Sequence, residues 1–283
     1  MKMKGIVLAG GTGSRLWPLT LHVSKQLLPV CDKPLIYYPI STLMLAGIRE
    51  ILVIVRPEDR EMFFKLLGDG ANWGISIEYA TQDSPNGLAE SLIIGEDFLK
   101  GDEVCLILGD NIFHGPGLGK QLSSIRDVVG AQVFGYRVSN PQDYGVAVLD
   151  AQGQLSKIIE KPKELVSNFA IPGIYFYSNI ACSIAKQLTP SARGELEISD
   201  LNNYFISKDS LKYTELSRGT FWMDTGSFQN LVSASYFVSI AQSRQGLRIG
   251  SPEEVAYGNG WINDHQYRQL VQKYSKSGYL NQI

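Results

Sequence analysis

The chain has 283 residues, 44% hydrophobic and 19% charged, which is typical of a soluble globular protein with one large domain or two small ones. Its formal net charge of -2 argues against general nucleic-acid binding, which needs a broadly basic surface. No apolar run reaches the roughly 20 residues of a membrane helix, and the N-terminus lacks a signal-peptide profile. Three isolated cysteines indicate no disulfide framework. We therefore expect a cytoplasmic protein without nucleic-acid or membrane partners.

Short apolar runs alternate with amphipathic segments over the first two thirds of the chain. The predicted strands are residues 5–9, 51–55, 75–80 and 104–108. The predicted helices between them are residues 34–46, 60–67 and 87–98. The first helix has Pro34 in its first turn and stops before Gly47, which are typical start and stop signals. Repeated strand–helix–strand units predict an α/β fold with a sheet covered by helices.

The rest of the chain changes in character twice. Residues 131–177 are rich in strand formers and contain turn signals, so we expect an extension of the same sheet. From residue 228 onward the pattern is helical, beginning with a helix at 228–245. We therefore predict an α/β domain over residues 1–227. A helical segment over residues 228–283 would pack on this core or on another subunit.

A glycine-rich loop directly follows the first predicted strand, in the run Leu8-Ala9-Gly10-Gly11-Thr12-Gly13-Ser14-Arg15. Glycines let main-chain N–H groups approach a phosphate closely, and an arginine adds a forked cation. The run is not a P-loop, because Gly-Lys-Ser/Thr is absent, and Leu16 replaces the third glycine of a dinucleotide fingerprint. Taken alone, the loop equally fits a tight turn with a surface arginine.

Two aspartates stand where apolar runs end. Asp110 follows the run 105–109, and Asp224 lies in Trp222-Met223-Asp224-Thr225-Gly226. Ligands of open α/β sheets bind beyond the carboxyl ends of the strands. Two carboxylates can hold one Mg²⁺, whose remaining ligands are usually phosphates and waters. Because a single Asp in Gly-Asp-Asn also fits a turn, the prediction of a metal site depends on the pair.

The order of these motifs resembles that of the sugar-phosphate nucleotidyltransferase family. The resemblance extends from residue 3 to about residue 261 and includes two runs beyond the glycine loop. These runs are Ser24-Lys25-Gln26-Leu27-Leu28-Pro29 and Asp32-Lys33-Pro34-Leu35-Ile36-Tyr37-Tyr38-Pro39. It implies a Rossmann-like, mixed and mostly parallel central sheet flanked by helices, with a sugar-binding sheet extension and C-terminal helices.

Within that family, the chain looks most similar to the members that make dTDP-glucose. The resemblance implies a Mg²⁺-dependent transfer of dTMP from dTTP to α-D-glucose 1-phosphate, which releases pyrophosphate. This reaction would begin the synthesis of dTDP-deoxysugars such as dTDP-rhamnose. A sugar-phosphate oxygen would attack the α-phosphorus in line, and it needs no general base because the second pKa of a phosphate is ≈ 6. The family usually assembles as a homotetramer.

The resemblance also assigns roles to individual residues. The implied nucleotide-binding residues are Leu8, Gly10, Gly11, Gly13, Ser14, Arg15, Lys25, Gln26, Gln82, Pro85, Gly87 and Asp110. The implied sugar-binding residues are Leu88, Asn111, Tyr144, Gly145, Glu160, Lys161, Ile171, Tyr175, Arg193 and Trp222. The implied metal ligands are Asp110 and Asp224. The implied catalytic residues are Arg15 and Lys25, which would hold the triphosphate, and Lys161 and Arg193, which would aim the nucleophile.

Some positions depart from the family pattern near the substrates. Ser14 stands where the family usually has Thr, and Val148 stands where the thymidylyltransferases usually have Glu. Ile171-Pro172-Gly173 replaces the usual Val-Thr-Gly beside the sugar, which removes a hydroxyl and a main-chain donor. The same chemistry with another sugar 1-phosphate therefore stays open, as does UTP, because Gln82 cannot sense the thymine methyl group by hydrogen bonding.

Two other departures lie in a region that resembles the family's regulatory nucleotide site at a subunit contact. His114 replaces an aromatic Tyr or Phe, and Gly258 replaces an Arg. Loss of the arginine removes a bidentate phosphate contact. The hypothesis that follows is that feedback inhibition by dTDP-rhamnose is weakened or directed at another end product.

Two alternative functions belong to other classes of protein. A non-catalytic nucleotide-sugar sensor would be favoured by loss of Arg15, Lys25, Asp110 or Asp224, but all four are present. A glycosyltransferase would normally carry an Asp-x-Asp metal motif, which Gly-Asp-Asn at 109–111 does not supply. The sequence therefore favours the nucleotidyltransferase.

Overall fold

The computed structural model describes residues 2–280. Residue 1 and residues 281–283, at the outer ends of the predicted segments 1–227 and 228–283, lie outside the described residues. The strands are β1 (Met3–Ala9), β2 (Pro29–Val30), β3 (Lys33–Pro34), β4 (Glu50–Val55), β5 (Ser76–Thr81), β6 (Glu103–Leu108), β7 (Asn111–His114), β8 (Ala131–Arg137), β9 (Gly145–Leu149), β10 (Leu155–Glu160), β11 (Phe169–Ala170), β12 (Ile174–Tyr177), β13 (Leu211–Glu215) and β14 (Phe221–Asp224). The helices are α1 (Tyr37–Leu45), α2 (Arg60–Leu67), α3 (Glu90–Ile94), α4 (Glu96–Leu99), α5 (Leu118–Ser123), α6 (Ala181–Ala185), α7 (Ile198–Ser207), α8 (Phe228–Gln245), α9 (Pro252–Gly258) and α10 (Asp264–Lys273).

One ten-stranded sheet runs through the molecule in the order β10-β9-β11-β8-β12-β6-β1-β4-β5, with β13 paired to β8. Strands β6, β1, β4 and β5 pair in parallel, whereas β12 is antiparallel to both β6 and β8. In register, Ile6 of β1 lies between Leu52 of β4 and Leu106 of β6. The fold is therefore an α/β fold with a mixed, mostly parallel central sheet flanked by helices, and β8 to β11 extend that sheet as predicted.

The predicted first strands and helices are confirmed, with differences at two boundaries. Helix α1 begins at Tyr37 rather than at residue 34, because Pro34 pairs with Pro29 in a small hairpin and Ile36 N donates to Gln26 O at 2.9 Å. The helix predicted at 87–98 is two short helices, α3 and α4, which meet at Gly95. A Cβ at Gly95 would come within 2.6 Å of Ile6 Cδ1, so the glycine lets this segment pack closely on β1.

The core forms on both faces of the sheet. Successive residues of β1 point to opposite faces, so Val7 belongs to one apolar cluster and Ile6 and Leu8 belong to the other. Helix α1 is buried along nearly its whole length, which explains why its sequence is apolar on every side. Among residues 2–280, no helix combines the length and the hydrophobicity needed to cross a bilayer.

The C-terminal helices pack against the loop that leads to the first helix. Leu231, Ala234 and Val238 of α8 form a third apolar cluster with Val30 and Leu35. Beside it, the buried Lys33 ammonium donates to Asp32 at 2.5 Å and to the main-chain oxygen of Ile249 at 3.0 Å. The helical tail therefore stabilises the segment 24–33, which carries Lys25.

Glu253 is a fully buried carboxyl group at the start of α9. Its Oε2 accepts hydrogen bonds from Ser251 Oγ at 3.0 Å and from the Tyr279 hydroxyl at 3.1 Å. Burial outweighs these hydrogen bonds and raises the pKa of Glu253 above its ordinary value of 4.5. The native protein therefore becomes less stable as the pH rises between the unfolded-state and folded-state pKa values.

We expect Glu253→Gln to increase the free energy of unfolding near neutral pH. The unfolded carboxyl ionises before the folded one does, and each pH unit between the two pKa values costs the native protein about 1.4 kcal/mol. The amide of the variant does not titrate. Its advantage should therefore disappear as the pH falls to about 4, where the Glu253 carboxyl is mostly protonated in the folded and the unfolded protein alike. Urea denaturation at both pH values, with the exposed Glu58→Gln as control, checks this. A variant that is less stable near neutral pH would contradict it.

Candidate active site

Two pairs of strands bring Asp110 and Asp224 to the same edge of the sheet. Strand β6 ends beside β1, and Gly109 N donates to Leu8 O at 2.8 Å. Strands β7 and β14 pair antiparallel with Asn111 opposite Asp224, and Thr225 N donates to Asp110 O at 3.0 Å. Asp110 directly precedes β7, and Asp224 ends β14, so the pairing of these two strands brings together two predicted metal ligands that are far apart in the sequence.

Asp110 is held by an ion pair with Lys25. Both side chains are largely buried, and Asn111 Nδ2 donates to Asp110 Oδ1 at 2.8 Å. Burial alone would raise the pKa of Asp110, but the Lys25 ammonium and the hydrogen bonds from Lys25 and Asn111 outweigh it and lower that pKa. Asp110 is therefore a carboxylate at neutral pH, as a metal ligand must be.

Asp224 is held by neutral donors. Its Oδ1 accepts from the Tyr144 hydroxyl at 2.9 Å and from Asn230 Nδ2 at 3.1 Å. Its Oδ2 accepts a longer bond from Gly226 N at 3.3 Å. A Cβ at Gly226 would lie 2.6 Å from Asp224 Oδ2 and 2.9 Å from Arg15 Nη2, so this oxygen and the guanidinium lie on the same side of Gly226.

These two carboxylates fit a hard divalent cation that keeps other ligands. Asp110 and Asp224 line one cavity, and no group of three or more His, Cys, Asp or Glu side chains suited to a metal ion occurs within residues 2–280. A closed site of four protein ligands, as in structural zinc centres, is therefore not built here. Two carboxylates, with phosphates and waters as the remaining ligands, are a donor set that Mg²⁺ commonly uses.

The sugar-side cavity brings together all ten predicted sugar-binding residues, both predicted metal ligands and Arg15. Several lining residues were not predicted: Leu108, Asp143, Ile158, Gly173, Glu195, Glu197, Ile198, Ser199 and Asn202. Four of these come from the start of α7 and the residue before it. A helix predicted at 198–207 would have shown that Ser199 and Asn202 share one face, but not that this face meets the sheet.

Two charged groups of this cavity, Glu160 and Arg193, are held by hydrogen bonds within the described part of the protein, whereas the Lys161 ammonium is not. Glu160 Oε2 accepts from Ser199 Oγ at 2.6 Å. The Arg193 guanidinium forms two hydrogen bonds with Glu197, at 3.1 and 2.8 Å. Lys161 is exposed and forms no ion pair within residues 2–280, which leaves its charge available to an anion. Its φ of 41° is uncommon for a residue other than glycine, and its N–H donates to Tyr144 O at 2.9 Å.

Asn111 is a buried residue that lines the sugar-side cavity. Its Oδ1 accepts from Trp222 Nε1 at 2.6 Å and from Gly173 N at 3.1 Å. The Trp222 ring in turn packs on Tyr144, with ring centroids 5.1 Å apart. Because its amide also donates to Asp110, Asn111 connects the sugar-side residues to the metal-side carboxylate.

A second cavity, the nucleotide-side groove, is formed by the glycine loop and the segment after β5. Predicted nucleotide-binding residues that line it are Leu8, Gly11, Gly13, Lys25, Gln26, Gln82, Pro85, Gly87 and Asp110. Arg15 lines the sugar-side cavity instead, and Gly10 and Ser14 are not among the described residues that line either one. Gly10 packs closely on Gln82, because a Cβ there would lie 2.5 Å from Gln82 Oε1.

Gln82 is buried with its amide orientation fixed. Its Nε2 donates to Glu90 Oε2 at 2.7 Å and to Gly87 O at 3.2 Å. Gly87 has a φ of 108°, and a Cβ there would lie 2.4 Å from Leu196 O, so a side chain cannot be accommodated. The acceptor Oε1 is therefore the part of Gln82 that can recognise a ligand.

Asp110 lines both cavities, together with Leu88, Leu108 and Glu195. The cavities therefore meet at the carboxylate that is paired with Lys25. The cations Arg15, Lys25 and Lys161 each line one of these two cavities. This arrangement suits the transfer of a group between two phosphorylated substrates.

The positions that depart from the family pattern lie in different places. Ile171 lines the sugar-side cavity, whereas Val148 is not among its described lining residues. His114 and Gly258 line a third cavity, between α1, α5 and α9. Burial there lowers the pKa of His114. The hypothesis of altered feedback inhibition stays a prediction.

Comparisons with known proteins agree with this geometry. The family model "Nucleotidyl transferase" matches residues 4–240. Glucose-1-phosphate thymidylyltransferase of Mycobacterium tuberculosis (strain ATCC 25618 / H37Rv) is 50% identical over 281 residues, which cover 99% of this chain and 98% of the relative. The enzyme of that name from Xanthomonas campestris pv. campestris (strain B100) is 52% identical over 278 residues, 98% of this chain and 94% of the relative.

Solved structures share the fold. A Bacillus anthracis chain, described as a glucose-1-phosphate thymidylyltransferase in complex with a sucrose, superposes with a TM-score of 0.77 at 40% identity. The match covers 83% of this chain and 95% of that one. A UDP-glucose pyrophosphorylase complexed with UDP-glucose has a TM-score of 0.74 at 22% identity, over 85% of this chain and all of that one, and so supports the fold alone. The family model and the near-complete relatives together show that the chain belongs to the nucleotidyl transferase family.

Proposed function

We propose that this chain transfers dTMP from dTTP to α-D-glucose 1-phosphate and releases dTDP-glucose and pyrophosphate. The observation that carries the proposal is the position of Asp110, which lines both the nucleotide-side groove and the sugar-side cavity. Relatives that are 50% and 52% identical over almost the whole chain bear the name of this activity. Their similarity covers both cavities, so it supports the same pair of substrates here.

The fixed amide of Gln82 supports a thymine or uracil base. Because Nε2 is used by Glu90 and Gly87, Oε1 is left to accept a hydrogen bond. Thymine and uracil present an N–H at ring position 3, whereas cytosine presents an acceptor there. Gln82 therefore favours dTTP or UTP over CTP, while the choice between the first two must come from contacts with the methyl group.

The cations of the site would position the two phosphates. Lys25 pairs with Asp110, and Arg15 lines the same cavity as Asp110. Both cations would hold the triphosphate, while Lys161 and Arg193 would hold the sugar phosphate. Glu160, oriented by Ser199, would accept hydrogen bonds from sugar hydroxyls. The attacking phosphate oxygen is already ionised at neutral pH. These side chains therefore contribute by alignment and charge stabilisation, and no proton has to be removed.

Enzymes of this family generally use a divalent metal ion. We infer that Asp110 and Asp224 hold Mg²⁺ in this chain, since both carboxylates line one cavity and have the donor chemistry that this ion prefers. When bound, Mg²⁺ would neutralise negative charge on the transferring phosphoryl group.

We also propose a cytoplasmic homotetramer. The free thiols Cys31, Cys105 and Cys182 are compatible with a reducing compartment. Helix α8 exposes a stripe of large apolar side chains at intervals of four residues: Phe228, Val232, Tyr236 and Ile240. Arg244 is the only charged residue in this helix, so two copies of the stripe can meet about a twofold axis without like-charge repulsion.

Tyr236→Glu should therefore reduce the assembly state without unfolding the chain. Tyr236 is 70% exposed, so the substitution removes no core packing, but in a symmetric contact it would place two carboxylates close together. Light scattering after gel filtration would show a smaller particle than the wild type at equal concentration. Val129→Glu, which is 81% exposed and far from α8 in sequence, is the matched control. An unchanged mass for Tyr236→Glu would exclude the stripe as a subunit contact.

The proposed reaction is tested by incubating the protein with Mg²⁺, glucose 1-phosphate and each nucleoside triphosphate separately. We expect pyrophosphate release with dTTP, abolished by EDTA, and weaker or no release with CTP. Equal rates with UTP and dTTP would leave the reaction class intact and correct the base. No release with any triphosphate would overturn glucose 1-phosphate as the acceptor.

A further inference from the structure

Asp224 receives hydrogen bonds from two parts of the chain that are far apart. One donor is the Tyr144 hydroxyl, which lines the sugar-side cavity. The other is Asn230 Nδ2, from α8, which is not among the described residues that line that cavity. Both donate to the same oxygen, Oδ1. This convergence leaves Oδ2 as the oxygen on the side of Arg15.

The position of Asn230 is set by the start of α8. Ser227 caps this helix, and its Oγ accepts from Asn230 N at 3.1 Å. The next residue, Leu231, is buried in the third apolar cluster with Ala234 and Val238. The main chain of Asn230 is therefore held by a cap on one side and by core packing on the other, so its amide group reaches Asp224 from a rigid support.

We propose that Asn230 is a positioning residue for the Asp224 carboxylate, and this inference rests on the proposed metal-dependent transfer. Its amide and the Tyr144 hydroxyl fix Oδ1, so that Oδ2, on the side of Arg15, would be the oxygen offered to a metal ion. Partners of metal ligands restrict the rotation of the ligand, and their loss typically weakens metal binding about 10–100-fold. Asn230 itself is not among the described residues that line either cavity.

The test compares Mn²⁺ binding to the full-length chain by electron paramagnetic resonance, with the metal alone as the probe. The variants are Asn230→Ala, Asp224→Asn and the double variant. Gln229→Ala is the matched control, since its exposed amide donates to Ser233 Oγ at 3.2 Å in the same turn of α8. Asn230→Ala keeps the main-chain bond to Ser227, and thermal melting of each variant confirms that the fold is intact. The Mg²⁺ concentration for half-maximal turnover is the second readout.

We expect Asn230→Ala to weaken Mn²⁺ binding about 10-fold or more and Gln229→Ala to leave it unchanged. In the Asp224→Asn background, Asn230→Ala should add nothing, because its partner has lost the carboxylate through which it acts. Wild-type affinity in Asn230→Ala would overturn the inference while Asp224→Asn still showed a loss. An equal loss in both backgrounds, or in Gln229→Ala, would overturn it in favour of a general effect of the helix. If the wild type and Asp224→Asn bind Mn²⁺ equally, the proposed metal site itself is wrong.

Discussion

Asp110→Asn should lower kcat about 10²–10³-fold or more while the fold is retained. Asparagine has the shape of aspartate but no negative charge, so it neither attracts a divalent cation nor pairs with Lys25. Asp110 lines both cavities, and therefore the loss falls where the two phosphates would meet. Because the change affects charge stabilisation in the transition state, we expect a larger effect on kcat than on the KM for either substrate.

Initial rates of pyrophosphate release at saturating dTTP and glucose 1-phosphate measure this effect. Asp97→Asn, an exposed aspartate of α4, is the matched control and should keep wild-type activity. Added Mg²⁺ should not restore Asp110→Asn, because the missing ligand is part of the site. Turnover within about tenfold of the wild type would show that Asp110 is not essential to the transfer.

Lys25→Met should both stop turnover and lower the free energy of unfolding by about 3 kcal/mol near neutral pH. The Lys25 side chain is only 10% exposed and pairs with the largely buried Asp110 carboxylate. Removal of one partner of such a pair leaves the other charge buried without compensation. This destabilises the native state by more free energy than the intact pair contributes to its stability. Loss of the cation also removes a contact to the triphosphate.

The stability loss should depend on pH. Without Lys25, burial raises the pKa of Asp110 above its unfolded value near 3.8, so the penalty is present above that value and disappears as the pH falls towards it.

Adding Asp110→Asn to Lys25→Met should recover most of the stability at neutral pH but no activity. Urea denaturation measures both effects. Lys65→Met, whose exposed side chain pairs with Glu61, should change stability by no more than about 0.5 kcal/mol. If Lys25→Met is as stable as the wild type, the ion pair has no structural role.

Features determined by local pattern were predicted from the sequence. Helices α2 and α8 have the predicted bounds, and strands β1, β4, β5 and β6 differ by at most two residues from the predicted ones. These segments have continuous apolar runs or helical spacing, bounded by glycine or proline. The glycine loop after β1 was recognised from its glycines, and Gly11 and Gly13 line the nucleotide-side groove. The family motifs predicted that Asp110 and Asp224 share one site, and both line the sugar-side cavity.

The contacts that orient those residues were decided by the tertiary structure. Tyr144 and Asp224 are 80 positions apart, Asn111 and Trp222 are 111 apart, and Glu160 and Ser199 are 39 apart. Nothing in the local sequence around any of them indicates the partner, because side-chain hydrogen bonds have no periodicity that a sequence could show. Arg193 was predicted from its motif as a phosphate-binding cation, yet its pairing with Glu197 depends on the turn that precedes α7. The sequence by itself thus determined which chemical groups the site contains, whereas the packing of β14, α7 and α8 on the sheet decided which of their atoms are free to meet a substrate.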